Sequence, residues 1–233
     1  MQMEVFGDEA AVGPRAAAII LEHARQAVSQ RGKFVMAVSG GKTPWIMLRD
    51  LADEQIPWDG VHVFQIDERI APAGDPDRNL THLRESLLAH AALKPQQIHA
   101  MPVESPNLET GAAEYCATLQ SIAGDPPILD LTHLGMGPDG HTASLIPGDP
   151  VLQVTDRDIA LTDVYQGRRR MTMTYPLLNR SRFVLWLITG AEKWPALQRL
   201  RKGDSSIPSG RIRCSSMLIL AYKGAAGQEA ASA

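Results

Sequence analysis

Four short apolar runs divide the chain, and three of them are followed by a stretch of helical composition. They are residues 34–39 (Phe-Val-Met-Ala-Val-Ser), 61–67 (Val-His-Val-Phe-Gln-Ile-Asp), 129–135 (Leu-Asp-Leu-Thr-His-Leu-Gly) and 183–189 (Phe-Val-Leu-Trp-Leu-Ile-Thr). Apolar runs of this length, closed by glycine or charged residues, predict buried strands. Helices are expected over 14–30, 44–53, 76–89, 107–122 and 192–201, where Ala, Leu, Glu and other good helix formers concentrate. Thr43 is a candidate N-cap for the second, with Pro44 at the favoured first position. Asp75 or Asp77 stands near the start of the third. Residues 170–175 and 217–221 are further candidate strands. Strands separated by helices need crossover connections. The expected fold is therefore α/β, a mostly parallel central sheet with helices on both faces. No repeat or linker interrupts the pattern, so residues 1–233 are read as a single α/β domain. Residues 204–210 are the most loop-like stretch, and the Ala/Gly-rich end from Gly224 is expected to fray.

Composition removes several classes of function. With 44% hydrophobic and 21% charged residues, the chain is neither disordered nor fibrous. A net charge of -3 lacks the basic surplus of a general nucleic-acid binder, and no DNA-binding helix pair or aromatic RNA motif stands out. The start, Met1-Gln2-Met3-Glu4-Val5-Phe6-Gly7-Asp8-Glu9, is acidic and lacks the basic-then-apolar pattern of a secretory signal. The 183–189 run falls far short of the roughly 20 residues a membrane helix needs. Cys116 and Cys214 are the only cysteines, which points to reduced thiols rather than a disulfide framework. A cytoplasmic protein without membrane or nucleic-acid partners is expected.

Ser39-Gly40-Gly41-Lys42-Thr43-Pro44 joins a strand to a helix. Two glycines let backbone amides approach an anion, and the new helix aims its free N–H groups and positive dipole end at the same point. A phosphate or sugar phosphate suits such a turn; the alternative is a plain tight turn. Gly41-Lys42-Thr43 resembles the end of a P-loop, but Met36 stands where that motif needs its first glycine. Ala37-Val38-Ser39-Gly40-Gly41 approaches a nucleophile elbow, with Ala in place of the first Gly and no identifiable base for Ser39. Asp67-Glu68-Arg69 closes the second strand and offers a carboxylate and a guanidinium to a polar ligand, or forms surface ion pairs.

The strongest signal is 134–145, Leu-Gly-Met-Gly-Pro-Asp-Gly-His-Thr-Ala-Ser-Leu. Three glycines and a proline force an irregular loop at a strand's carboxyl end. It carries Asp139 and His141, and imidazole is the side chain most easily poised for proton transfer near neutral pH. The other six histidines, His23, His62, His82, His90, His99 and His133, make no metal-ligand pattern. Arg168-Arg169-Arg170 precedes a candidate strand, and Lys193 follows another; each could face an anion or solvent. Met171 and Met173, at strand spacing, are assigned to the core.

Together these blocks resemble the 6-phosphogluconolactonases of the glucosamine-6-phosphate isomerase/6-phosphogluconolactonase family. The resemblance covers residues 34–193 and includes Asn79, Arg170 with Thr172 and Thr174, Asn179, and Gly190 with Lys193; the block 137–145 is the most specific part. The chain departs from the family pattern at Arg78 and Lys42, where Ser is common, and in lacking a Trp and an Asp near its end. The resemblance implies a fold related to glucosamine-6-phosphate deaminase and ribose-5-phosphate isomerase. It also implies hydrolysis of 6-phospho-D-glucono-1,5-lactone to 6-phosphogluconate without a cofactor or metal. On this view His141 activates water, while Asp67 or Asp139 orients the imidazole or binds sugar hydroxyls. Ser39, Gly40, Gly41, Lys42, Thr43, Arg69, Asn79, Arg170 and Lys193 are the candidate substrate- and phosphate-binding residues. The protein is expected to be a monomer or homodimer.

Two rivals share the phosphate site. Glucosamine-6-phosphate deaminases carry a Glu shortly after the loop histidine, whereas here no carboxylate follows His141 until Asp149. Ring opening and enolisation need additional acid/base groups; lactone hydrolysis needs one base and water. A non-catalytic sugar-phosphate sensor is the second rival, and it has no need of a poised base.

Overall fold

The fold is given by a computed structural model that describes residues 1–227. Among the described residues, ten strands and six α-helices follow one another in the order β1 (Gln2–Phe6), α1 (Val12–Arg31), β2 (Phe34–Val38), α2 (Lys42–Ala52), β3 (Val61–Gln65), β4 (Asp67–Arg69), α3 (Asn79–Leu83), β5 (Ile98–His99), α4 (Leu108–Ala123), β6 (Leu131–Leu134), β7 (Ile159–Leu161), β8 (Arg170–Met173), α5 (Tyr175–Asn179), β9 (Val184–Ile188), α6 (Trp194–Arg201) and β10 (Met217–Tyr222). Seven strands form one sheet in the order β1-β10-β9-β6-β2-β3-β5, and every pairing is parallel. The expected parallel α/β architecture is the observed one.

Strand alternation sorts the core into two layers. Val35 and Ala37 of β2, Trp186 and Ile188 of β9, and Ile219 and Ala221 of β10 face one side, against α4, α5 and α6. Phe34, Met36 and Val38, with Leu185, Leu187, Leu218 and Leu220, face the other, against α1, α2 and α3. A buried period of two on both faces is what a sheet covered on each side requires. The 20-residue α1 supplies small side chains (Ala16, Ala17, Ala24, Ala27) that let it lie close to the sheet, and it ends at Gly32 in the left-handed conformation.

Chain order and strand order diverge beside β2. From β2 the chain runs outward to β3 and β5, then returns to β6 on the opposite flank. The loops leaving β2 and β6 therefore diverge above a crevice at the strands' carboxyl ends, the usual ligand position in open α/β sheets.

The structure corrects several sequence expectations. The run 61–67 is not one strand. Ile66 leaves the large sheet, its N–H donating to Val38 O (3.1 Å) and its carbonyl accepting from Met173 N (2.8 Å). Asp67–Arg69 then pairs antiparallel with β8, which pairs with β7, making a separate three-stranded sheet. The helix expected over 76–89 begins at Asn79, and from Arg84 it continues as one π-type turn. Its cap is not local: the buried Glu68 accepts from the N–H groups of Asn79 and Leu80, both at 2.8 Å. Asp75 is occupied by its own turn, accepting from Asp77 N (2.8 Å). Thr43 is not the N-cap of α2; Gly41 is, at φ 123°, and Trp45 N makes the first helical bond to Gly41 O (3.1 Å). The edge strands β1 and β5, the short β7 and the five-residue α5 carried no readable apolar run. The end from Gly224 is not frayed through Gly227: Ala225 and Ala226 are buried, and Ala226 N donates to Tyr222 O (3.1 Å). The remainder of that expectation, residues 228–233, lies outside the described residues.

Candidate active site

The turn after β2 sits against Asn79. A Cβ on Gly40 would overlap the Asn79 carboxamide, so the close approach demands glycine there. Asn79 is held in turn: Nδ2 donates to Asp67 O (3.0 Å), and Oδ1 accepts from Arg69 Nη1 (3.1 Å). Lys42 and Thr43 open α2, so their N–H groups are among its unsatisfied first-turn donors. Thr43 Oγ1 shares a 2.7 Å hydrogen bond with Thr189 Oγ1 at the end of β9. The Ser39 hydroxyl is buried and has no hydrogen-bond partner among the described residues, so none of them activates it as a nucleophile in this arrangement.

The loop after β6 builds the acid/base group. His141 Nδ1 lies 2.6 Å from Asp139 Oδ1, and the same oxygen accepts the His141 backbone N–H at 3.1 Å. A carboxylate only accepts, so Nδ1 carries a proton, and in the neutral ring the lone pair is on Nε2. The imidazole lies across Gly137, where an added Cβ would overlap Cε1 and Nδ1 of the ring. Gly137 N donates to His141 O (2.9 Å) and Gly140 N to Gly137 O (3.0 Å), closing the loop on itself. Behind it, Ser209 N donates to Gly140 O (2.9 Å), and Ile207 fills the space a Gly140 side chain would need. The 204–210 stretch is thus a buttress for the loop rather than a free segment. Ala143 adopts φ 51°, an unusual conformation for a residue with a Cβ, beside the histidine.

The small sheet brings in the charge. Asp67 is 5% exposed; its Oδ2 accepts from Ser144 Oγ (2.7 Å). Of the two carboxylates considered as the imidazole's partner, Asp139 makes the contact. Asp67 is bonded to Ser144 and Asn79 instead. Arg69 and Arg170 stand directly opposite each other in the β4–β8 register. Like charges in that position repel, and each Nε is buried without a partner among the described residues. Burial, and next the neighbouring Arg69, holds the Arg170 guanidinium below its ordinary pKa. Burial likewise lowers the Lys193 ammonium, with Glu192 and Glu9 pulling the other way. A dianion placed among these groups would relieve both penalties. The run 168–170 divides by strand alternation and turn geometry: Arg168 pairs with Asp75 (2.9 Å) and Asp77 (3.0 Å), exposed Arg169 bonds Thr162 O (3.2 Å), and only Arg170 enters the site.

These pieces enclose one cleft of about 470 Å³. Ser39, Gly40, Gly41, Lys42, Thr43, Asp67, Arg69, Asn79, His141, Arg170 and Lys193 all line it, and Asp139 sits behind His141. Sequence reasoning missed Glu9, Thr189 and Glu192, which also line it, and Ser144, which holds Asp67. Thr189 was accessible as the last residue of a strand run. Glu9 lies on an N-terminal turn with no signal to link it to the site. Asp149 does not reach the cleft: it caps the turn Pro150–Gln153 by accepting from Val151 N (2.8 Å) and takes Asp163 N (3.1 Å). Among the described residues no three His, Cys, Asp or Glu side chains gather as metal ligands, and no helix is long and apolar enough to cross a membrane.

Fold and site together define an α/β protein with a cationic cleft and a carboxylate-held histidine at the switch point of a parallel sheet. The family described as glucosamine-6-phosphate isomerases/6-phosphogluconolactonase matches residues 7–220, and the chain belongs to it. A 6-phosphogluconolactonase of Nostoc sp. is 37% identical over 234 residues, which span 97% of this chain and 97% of the relative. The crystal structure of a 6-phosphogluconolactonase from Thermotoga maritima is 27% identical and superposes with a TM-score of 0.85, covering 95% of this chain and 98% of that one. A monomeric glucosamine-6-phosphate deaminase superposes with a TM-score of 0.85 at 18% identity, covering 98% of this chain and 100% of its own, a likeness of fold.

Proposed function

We propose that this chain is a lactone hydrolase that converts 6-phospho-D-glucono-1,5-lactone and water to 6-phospho-D-gluconate, the lactone-opening step of the oxidative pentose phosphate pathway. The observation that carries the mechanism is the 2.6 Å contact between Asp139 and His141 Nδ1. It supports a neutral tautomer with the lone pair on Nε2, in a cleft lined by Arg69, Arg170 and Lys193. Nε2 takes a proton from water, and the hydroxide attacks the lactone carbonyl carbon. The tetrahedral oxyanion collapses, the ring C–O bond breaks, and the imidazolium returns its proton to the departing alkoxide. The 6-phosphate lies between the α2 N-terminus and the cations. Asp67, held by Ser144, is a candidate partner for a sugar hydroxyl.

The reading treats residues 1–233 as one domain that needs no cofactor or metal, works in the cytoplasm as a monomer or homodimer, and has neither nucleic acid nor membrane as a partner. The free thiols of Cys116 and Cys214 are consistent with a reducing compartment. A deaminase is disfavoured because Asp149, the first carboxylate after His141, is spent on a cap. A sensor is disfavoured because it has no use for an oriented base.

The test is lactone hydrolysis on freshly made substrate, coupled to 6-phosphogluconate dehydrogenase, with spontaneous opening subtracted. Wild type should run well above background, and His141→Ala should lose about 10²–10⁴-fold in kcat, the usual contribution of a positioned base. A wild type no faster than background would end the lactonase reading.

A further inference from the structure

The β7–β8 hairpin carries Arg170 into the cleft, and its tip contributes a group the mechanism has not used. Its tip is a tight turn, with Tyr165 N donating to Arg168 O (2.9 Å) and Arg168 N to Tyr165 O (3.2 Å). Gln166 and Gly167, at φ 51° and 78°, give the left-handed pair such a turn needs. Arg168 pins the turn to the facing loop through Asp75 and Asp77. That loop also holds Arg69, whose Nη1 donates to Asp77 O (2.6 Å). With its backbone fixed at both ends, Tyr165 comes between the two functional groups. The Arg170 guanidinium carbon stands 5.1 Å from its ring centroid, and the ring meets the His141 imidazole edge-on at 6.1 Å.

Arg170 has few other restraints. Its Nε is buried without a partner, and the only side-chain hydrogen bond it makes among the described residues is a long one, Nη2 to Gln166 Oε1 at 3.4 Å. Arg69, directly across the strand pair, pushes it away. We infer that Tyr165 is a positioning residue for phosphate recognition: its π face holds the Arg170 guanidinium against Arg69's repulsion, so that the cation is in place before the phosphate arrives. The ring face does the work, and the hydroxyl is dispensable. A cation held by an aromatic face is stabilised electrostatically, most strongly where water is excluded.

This inference rests on the lactonase reading, and its experiment separates the two. Tyr165→Ala, Tyr165→Leu and Tyr165→Phe are assayed on 6-phosphogluconolactone and on unphosphorylated glucono-1,5-lactone. Ala and Leu should raise KM for the phosphorylated lactone by about three- to tenfold. They should leave kcat within about twofold, and leave the unphosphorylated lactone unaffected. Phe should restore wild-type KM. An unchanged KM in Ala and Leu, a Phe variant as impaired as Ala, or a fall in kcat on both lactones with a shifted pH profile would each overturn the role; the last would mean that the ring acts through His141. A wild type with no rate above spontaneous hydrolysis would instead remove the lactonase reading, and this inference with it.

Discussion

The two sheets of this molecule are built on opposite principles. In the large parallel sheet, β2 and β9 are fully buried and wholly apolar, and their side chains serve packing on both faces. In the small antiparallel sheet, β4 is Asp-Glu-Arg, and β8 alternates Arg170 and Thr172 with the core methionines Met171 and Met173. Four of those polar side chains (Asp67, Glu68, Arg170 and Thr172) are buried. The large sheet derives its stability from burial and can leave its loops irregular; the small sheet gives up apolar area to hold charge in fixed positions. On the proposed reading this is a division of labour: His141, the proposed base, stands on a large-sheet loop, and two of the three cations proposed for phosphate, Arg69 and Arg170, stand on the small sheet, with Lys193 following β9.

The division can be broken from either side. Removing the base, with His141→Ala, should produce the largest effect, the loss of about 10²–10⁴-fold in kcat given above. Displacing rather than removing it comes next. Gly137→Ala puts a methyl group where the imidazole lies, and misplacement of a catalytic group by about 1 Å can cost on the order of 10²-fold. The variant should keep its thermal transition and its KM while kcat falls; an unchanged kcat would mean that the ring position is not critical. On the small sheet, Arg170→Met removes a charge-assisted contact of about 1.5–3 kcal/mol, roughly 10- to 150-fold in KM for the phosphorylated lactone. Ser144→Ala, which joins the two regions, leaves a buried Asp67 oxygen without its donor. It should cost about 1–3 kcal/mol of stability in urea titration, and a neutral result would show that Asp67 finds another donor.

A last effect concerns pH and belongs to the large sheet alone. Burial pushes His133 on β6 down to about 3, and burial with the neighbouring His62 pushes His99 on β5 down to about 4. In the unfolded chain both titrate near the ordinary histidine value of about 6.5. Below that value the unfolded state takes up protons that the folded state refuses. This contribution to stability is therefore complete above about pH 6.5 and is lost as pH falls through about 4 toward about 3. His133→Asn, which keeps an acceptor for Ser39 N, should flatten that decline; an identical slope would assign it elsewhere.

The same contrast explains what was legible in the sequence. The large sheet's interior strands announced themselves because a two-face burial rule writes itself as a continuous apolar run. Its edge strand β1 did not, since only one residue in two needs to be apolar at a half-exposed edge. The small sheet was nearly invisible. Asp67-Glu68-Arg69 has no strand composition, and its pairing with residues about a hundred positions later is a tertiary fact. Glu68 shows the cost most clearly: local reasoning saw only Asp75 or Asp77 near the start of α3, and the cap came from another strand. The histidine loop was legible because its chemistry is local, Asp139 and His141 being two residues apart on a glycine-shaped turn. The arginine pair was readable only as separate charges, since neither residue signals the other.

The central claim is that base and phosphate clamp are separable parts. The most direct test measures kcat/KM for 6-phosphogluconolactone and for unphosphorylated glucono-1,5-lactone in wild type, His141→Ala and Arg170→Met. The account predicts that His141→Ala lowers both values by the same factor, whereas Arg170→Met lowers only the phosphorylated one. An Arg170→Met variant that loses equally on both lactones, or a His141→Ala variant that spares the unphosphorylated one, would contradict it.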